Sequence, residues 1–171
     1  MKFLPDMYVK DVMSIPYQKL KDKNIKCIIF DLDNTLALLS EVKPPLRVVE
    51  LFKKLEKDFD IYILTNSNGK RALPYKENLS VSIINFALKP SVRGLRKIQK
   101  LKGYKKSEMV MVGDQLVTDI LAGNRFNIMT IFVDAMSDID LKITKFNRMV
   151  ERRIIKKYQK KGVFEKGKYY E

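Results

Sequence analysis

Histidine is absent from this 171-residue chain and cysteine occurs once, at Cys27. With no imidazole and a single thiol, the chain has little to offer a soft metal ion, so any metal it binds is expected to be hard and held by oxygen. One cysteine forms no intramolecular disulfide. Cys27 falls in the strand-like run Cys27-Ile28-Ile29-Phe30 and reads as a small core residue rather than a nucleophile. Apolar runs stay well short of the roughly 20 residues that span a bilayer, which argues against an integral membrane protein. The opening Met1-Lys2-Phe3-Leu4-Pro5-Asp6 lacks the apolar core and small-residue cleavage site of a secretory signal, so the expected compartment is the cytoplasm. Internal repeats, low-complexity tracts and Gly/Ser linkers are missing too. At this length that implies one domain over residues 1–171.

Acidic residues are also in short supply: 20 Asp or Glu face 34 Lys or Arg, a formal charge of +14. Such an excess implies an anionic partner, whether nucleic acid, a lipid surface or a phosphorylated substrate. From Lys142 onward eleven Lys or Arg meet three Glu, so this end of the chain carries +8 of the total.

Short apolar runs alternate with amphipathic segments, the pattern of an α/β fold. Five strands are expected, at Lys26–Phe30, Ile61–Leu64, Val81–Ile84, Met109–Val112 and Met129–Val133, each rich in the residues that two-sided burial requires. Pro44–Asp58 places Leu46, Val49, Phe52 and Leu55 near helical spacing. Ser91–Leu101 repeats the pattern with Leu95 and Ile98 and is closed by Gly103. A shorter helix is expected over Asp119–Ala122, ended by Gly123-Asn124. Pro74 predicts a short or broken helix between Gly69 and Leu79. Residues 141–161 form a basic amphipathic helix with Ile143, Phe146, Val150, Ile154 and Tyr158 as its apolar stripe. The tail over 162–171 is expected to be flexible.

The few acidic residues are not scattered. Asp31-Leu32-Asp33-Asn34-Thr35 follows the first long strand, with two carboxylates positioned to share one small space and repel unless a cation lies between them. Magnesium fits best. Thr65-Asn66-Ser67 follows the next strand, Lys89-Pro90 the third, and Gly113-Asp114-Gln115-Leu116-Val117-Thr118-Asp119 the fourth. In a parallel sheet all strand C-termini lie at one edge, so these clusters are expected to converge. Carboxylates for a cation, a hydroxyl and an amide for oxyanions, and an ammonium together suit phosphoryl transfer, where positioning and charge neutralisation dominate. A carboxylate nucleophile, Asp31, would give an aspartyl phosphate that water hydrolyses in a second step, with Asp33 managing the protons.

The order Asp31-x-Asp33-x-Thr35, Thr65, Lys89, then Gly113-Asp114 with Asp119 resembles the four motifs of the haloacid dehalogenase (HAD) phosphatase superfamily. The resemblance implies that Asp31 is the nucleophile, Asp33 the general acid/base, and Thr65 and Lys89 the phosphate binders, with Asn66 a further contact. Asp31, the main-chain carbonyl of Asp33, and Asp114 would hold Mg2+, supported by Asp119. It also implies a Rossmann-like three-layer sandwich around a mostly parallel five-stranded sheet. About thirty residues separate Asp33 from Thr65 and about two dozen separate Thr65 from Lys89, which leaves no room for an inserted cap. Phe3-Leu4-Pro5-Asp6, Ala87-Leu88-Lys89-Pro90 and Gly123-Asn124-Arg125 narrow the likeness to the YqeG-like type IIIA branch. That branch is similar to the mitochondrial phosphatidylglycerophosphate phosphatases, so the implied substrate is a phosphorylated lipid headgroup, with peripheral contact to an anionic membrane; a soluble phosphomonoester is the alternative substrate. Receiver domains share the residue types but place the lysine last. Nucleic-acid binding through the basic helix, with Tyr158, Phe164, Tyr169 and Tyr170 stacking, is the non-enzymatic alternative. No RNA-binding motif accompanies it.

Overall fold

The computed structural model describes residues 2–137 and 142–171. Six strands form one sheet: β1 (Met7–Val9), β2 (Cys27–Phe30), β3 (Asp60–Leu64), β4 (Ser82–Ile84), β5 (Met109–Gly113) and β6 (Met129–Val133). Their order is β1-β6-β5-β2-β3-β4 and every pairing is parallel. Five of these are the expected strands, with ends moved by a residue. The sixth, β1, was not anticipated: three residues between Asp6 and Lys10 give no readable periodicity, and pairing of Met7 with Ile131 makes it a strand.

All four residues of β2 are fully buried because the sheet is covered on both faces. Ile28 and Phe30 join Val110, Val112, Ile61 and Ile63 against Val48, Phe52 and Leu55 of helix α2 (Leu46–Leu55). Cys27 and Ile29 join Met109, Met111, Tyr62 and Leu64 on the other face, against helices α4 (Arg93–Lys102) and α5 (Leu121–Phe126). Each large aliphatic or aromatic side chain buried this way contributes about 1.5–3 kcal/mol. Helix α1 (Tyr17–Asp22) buries Leu20 in the first of these layers.

Helix α3 (Gly69–Asn78) runs unbroken through Pro74, against expectation. The proline forfeits one bond to the carbonyl of Lys70, while Asn68 caps the first turn through Arg71 N–H (3.0 Å) and Tyr75 is fully buried. Pro90 does not open α4, which starts at Arg93. After β5 the chain makes a π turn over Leu116–Ile120 before α5, which runs past Gly123-Asn124 and ends at Asn127 in a left-handed conformation (φ +61°). Gly123 sits inside that helix because a Cβ there would lie 2.3 Å from Thr130 Cγ2.

Helix α6 (Lys142–Lys160) packs on the domain through the C-terminal part of the expected stripe, Ile154 and Tyr158, together with two charged residues that were not expected there. Ile143 has no described side chain, Phe146 is exposed, and Arg148, Glu151 and Tyr158 turn inward. The tail expected to be flexible is docked. Tyr170 exchanges two main-chain hydrogen bonds of 2.8 Å with Tyr8 across the open edge of β1, and Phe164 is buried against Tyr8 and Phe132. This seals an edge strand. It also consumes Tyr158 and Phe164, two of the four rings expected to be available for stacking.

Candidate active site

β2 lies between β3 and β5, and the chain leaves these strands toward opposite sides of the sheet, so a crevice opens beyond their C-terminal ends. Register places Phe30 beside Val112 and Ile63, which brings Asp31 next to Gly113 and Leu64. The Asp31 N–H donates to Val112 O (2.9 Å). The chain then curls: Leu36 and Ala37 N–H both donate to Leu32 O, and Asn34 takes a left-handed φ of +63°. This curl sends Asp33 and Thr35 to different partners.

Thr35 Oγ1 donates to Asp114 Oδ1 (2.9 Å), joining the first acidic cluster to the last. Lys89 Nζ, buried, reaches Asp31 Oδ1 (2.5 Å), Leu64 O (2.7 Å) and Asp119 Oδ1 (2.8 Å). Asp119 Oδ2 accepts from Gln115 N–H (3.1 Å), whereas its Oδ1 touches Lys89 without the alignment of a hydrogen bond. Gly113 is required by this approach, since a Cβ there would fall 2.3 Å from Asp119 Cγ. Asp31, Asp114 and Asp119, all buried, bring one oxygen each within 4.8 Å of one another. The sequence expectation of a convergent acidic cluster thus corresponds to these three. The Asp33 carboxylate stands apart and accepts from Ser67 Oγ (2.5 Å) and Arg71 Nε (2.8 Å).

Two arginines complete the site, and neither was singled out in the sequence. Arg71 also donates to Glu41 O (2.7 Å) and Leu38 O (3.0 Å), tying Asp33 to the loop that follows it. Arg148, from α6, donates to Asp114 O (2.7 Å) and pairs with Asp114 Oδ2 and Glu151. Nothing in a Lys/Arg-rich chain distinguishes these two from solvated neighbours. Asn66, expected at the phosphate, instead clamps Lys89: its Oδ1 accepts from Lys89 N–H (2.7 Å) and its Nδ2 donates to Lys89 O (3.1 Å). Thr65 is buried with Oγ1 accepting from Ser67 N–H (3.0 Å). Above this floor lies a cleft of ≈ 380 Å³ bordered by Asp31, Asp33, Thr65, Asn66 and Lys89.

The electrostatics follow from burial. Removal from water pushes the Asp31 carboxyl well up; Lys89 opposes this, and Asp119 and Asp114 add to it. Asp114 is raised to about 6 by burial and by Asp119, against the pull of Arg148 and Thr35. Burial alone would lower Lys89, but Asp119 and Asp31 outweigh it and hold the ammonium protonated. Three carboxylates facing one ammonium and one guanidinium leave an excess of negative charge. Together with the unaligned Asp119 Oδ1, this hard-oxygen set fits a divalent cation.

Burial raises Glu151 to about 7, opposed by Arg148 and by Leu116 N–H, which donates to it at 3.1 Å. The folded state therefore retains a proton that the unfolded chain releases, and stability falls as pH rises from about 4.5 to about 7. Glu151→Gln keeps the acceptor and removes the charge. In chelator the variant is expected to be more stable than wild type above pH 7 by about 2 kcal/mol, with the difference closing below pH 5. Urea unfolding at the two pH values measures it; equal stability at pH 8 would show that Glu151 is not charged at a cost.

This fold and site define a HAD-type phosphatase. A predicted HAD-like family hydrolase from Porphyromonas gingivalis superposes with a TM-score of 0.53 over 74% of this chain and 98% of its own, at 13% identity. Residues 1–136 match the family model for mitochondrial PGP phosphatase, and the chain belongs to that family. It is 39% identical to the probable phosphatase YqeG of Bacillus subtilis over 94% of both chains. It is 29% identical to the chloroplastic/mitochondrial phosphatidylglycerophosphate phosphatase 1 of Arabidopsis thaliana over 94% of this chain, and spans about half (49%) of that relative's length. Among the described residues no helix is long and apolar enough to cross a membrane.

Proposed function

We propose that the chain hydrolyses a phosphomonoester through an aspartyl phosphate on Asp31 with magnesium as cofactor, and that its substrate is phosphatidylglycerophosphate. The observation that carries the chemistry is the meeting of Asp31, Asp114, Asp119 and Lys89, of which Asp31 and Lys89 line the cleft, with Asp33 held at its side. Asp31, Asp114 and Asp119 would hold the cation, with the Asp33 carbonyl as a further ligand. When bound, it supplies positive charge to the phosphate and to the attacking carboxylate.

An oxygen of Asp31 attacks phosphorus, the bond to the substrate oxygen breaks, and Asp33 delivers a proton to the departing alkoxide. Asp33 then takes a proton from water as the water oxygen bonds to phosphorus and the bond from phosphorus to Asp31 breaks, releasing inorganic phosphate and restoring the Asp31 carboxylate. Ser67 and Arg71 fix the direction of Asp33 through both steps. Lys89 balances charge on Asp31 and on the transferring group, and Thr65 offers its hydroxyl at the cleft wall. Asn66 acts by positioning the main chain of Lys89.

The substrate proposal rests on the family and on the open cleft. The intervals from Asp33 to Thr65 and from Thr65 to Lys89 hold only α2 with β3 and α3 with β4, with no inserted cap. Phosphate release from phosphatidylglycerophosphate in mixed vesicles is expected to exceed release from sugar phosphates and nucleotides by at least about tenfold in kcat/KM, the discrimination that burying a methylene or two supplies. A preference for the soluble compounds would overturn the lipid assignment and leave the phosphatase.

A further inference from the structure

Phe86 and Leu88 are 62% and 67% exposed, and both hold a left-handed backbone, with φ of +49° and +53°. Side chains larger than those of Gly, Asn or Asp are disfavoured there, and exposed apolar surface adds a second unfavourable term. The segment is nevertheless firmly placed: Phe86 N–H donates to Ser67 O (3.1 Å) and Ala87 N–H to Thr65 O (3.0 Å), so the two side chains stand beside the candidate active site. Leu88 lies on the rim of the cleft, together with Leu39 from the loop after β2 and Val117 from the turn after β5. Three loops thus contribute apolar residues around a floor of carboxylates and an ammonium.

Charge adjoins this collar. Helix α4 begins five residues beyond Leu88, and its Arg93, Arg96, Lys97 and Lys100 line a shallow groove with the exposed Leu101. None of the four makes an ion pair among the described residues. We propose that the Phe86–Leu88 rim and the basic face of α4 form a docking surface for an anionic lipid bilayer. The apolar tips enter the headgroup boundary, and the cations meet lipid phosphates. This rests on the lipid-phosphatase reading for its purpose, but not for its binding. A nucleic acid would answer the cations, but a phosphate backbone gives no return for the exposed leucines.

The test uses the full chain and vesicles without substrate, phosphatidylglycerol mixed with phosphatidylcholine against phosphatidylcholine alone. Wild type is expected to float with the anionic vesicles, and Phe86→Asn to bind them about tenfold more weakly, the effect of one buried aromatic side chain. Asn accepts a left-handed backbone, so this variant is expected to melt at or above the wild-type temperature and to hydrolyse p-nitrophenyl phosphate unchanged. Arg96→Glu with Lys100→Glu is expected to remove the preference for anionic over neutral vesicles. Equal vesicle binding by wild type and Phe86→Asn would overturn the proposal. So would a parallel loss of p-nitrophenyl phosphate turnover, or a loss of single-stranded RNA binding in place of vesicle binding. Vesicle binding that behaves as expected, with phosphatidylglycerophosphate left unhydrolysed, would support the docking surface and count against the proposed substrate alone.

Discussion

Asp31→Asn is expected to abolish magnesium-dependent phosphomonoester hydrolysis, by about 10⁴-fold or more, while the chain stays folded. The two side chains are nearly the same shape, and the amide oxygen can still accept from Lys89 Nζ, which reaches Asp31 at 2.5 Å. What is lost is the charged oxygen that attacks phosphorus. Removing one of three buried carboxylates also relieves their mutual repulsion, so in chelator the variant is expected to melt at or above the wild-type temperature. The same excess of negative charge binds the cation, so the variant should need more magnesium than wild type. Assays across a range of magnesium separate the two losses. A merely weakened metal site recovers as magnesium rises, whereas a missing nucleophile does not. Recovery to wild-type turnover at high magnesium would reduce Asp31 to a ligand and shift attack to water.

The convergence of Asp31, Asp114, Asp119 and Lys89 was legible because a parallel sheet puts every strand C-terminus at one edge, and the four residues follow three readable strands. What escaped shares a different origin. Arg71 and Arg148 act through side-chain contacts of exceptional placement, with no local pattern to mark them among 34 Lys and Arg. α6 was read only in part for the same reason: apolar spacing finds Ile154 and Tyr158, which pack on the domain, but not the inward Arg148–Glu151 pair that serves Asp114 and Leu116. β1 is too short to alternate, and only its neighbour β6 and the returning tail define it. Position at the end of the chain, after Gly162, suggested a free tail, because the surface that receives Phe164 and Tyr170 is built by Tyr8, more than 150 residues earlier.

Lys89→Met is expected to destabilise the metal-free protein by about 3–5 kcal/mol, the usual consequence of stripping a buried charge of its partner. Met preserves the aliphatic stem, so the loss falls on the ammonium, which Asp31, Asp119 and the carbonyl of Leu64 share. Two outcomes separate charge from packing. Divalent cation should return part of the lost stability, because it neutralises the same carboxylates, although turnover should remain low without Lys89 to balance the phosphate. The deficit should also depend on pH. The lysine's folded pKa lies above its ordinary value, so its contribution is complete at neutral pH and is lost only in strong alkali. The carboxylates of the cluster act in the opposite sense: Asp31, its partner, is raised, and neighbouring Asp114 is raised to about 6, so protonation removes the uncompensated charge as the solution turns acidic. Urea unfolding should therefore show a larger gap between wild type and Lys89→Met at pH 8 than at pH 5, and a smaller one with magnesium than with chelator. A gap indifferent to both would mean that Lys89 only fills space, and the cleft floor would then lack the charge balance on which phosphoryl transfer at Asp31 depends.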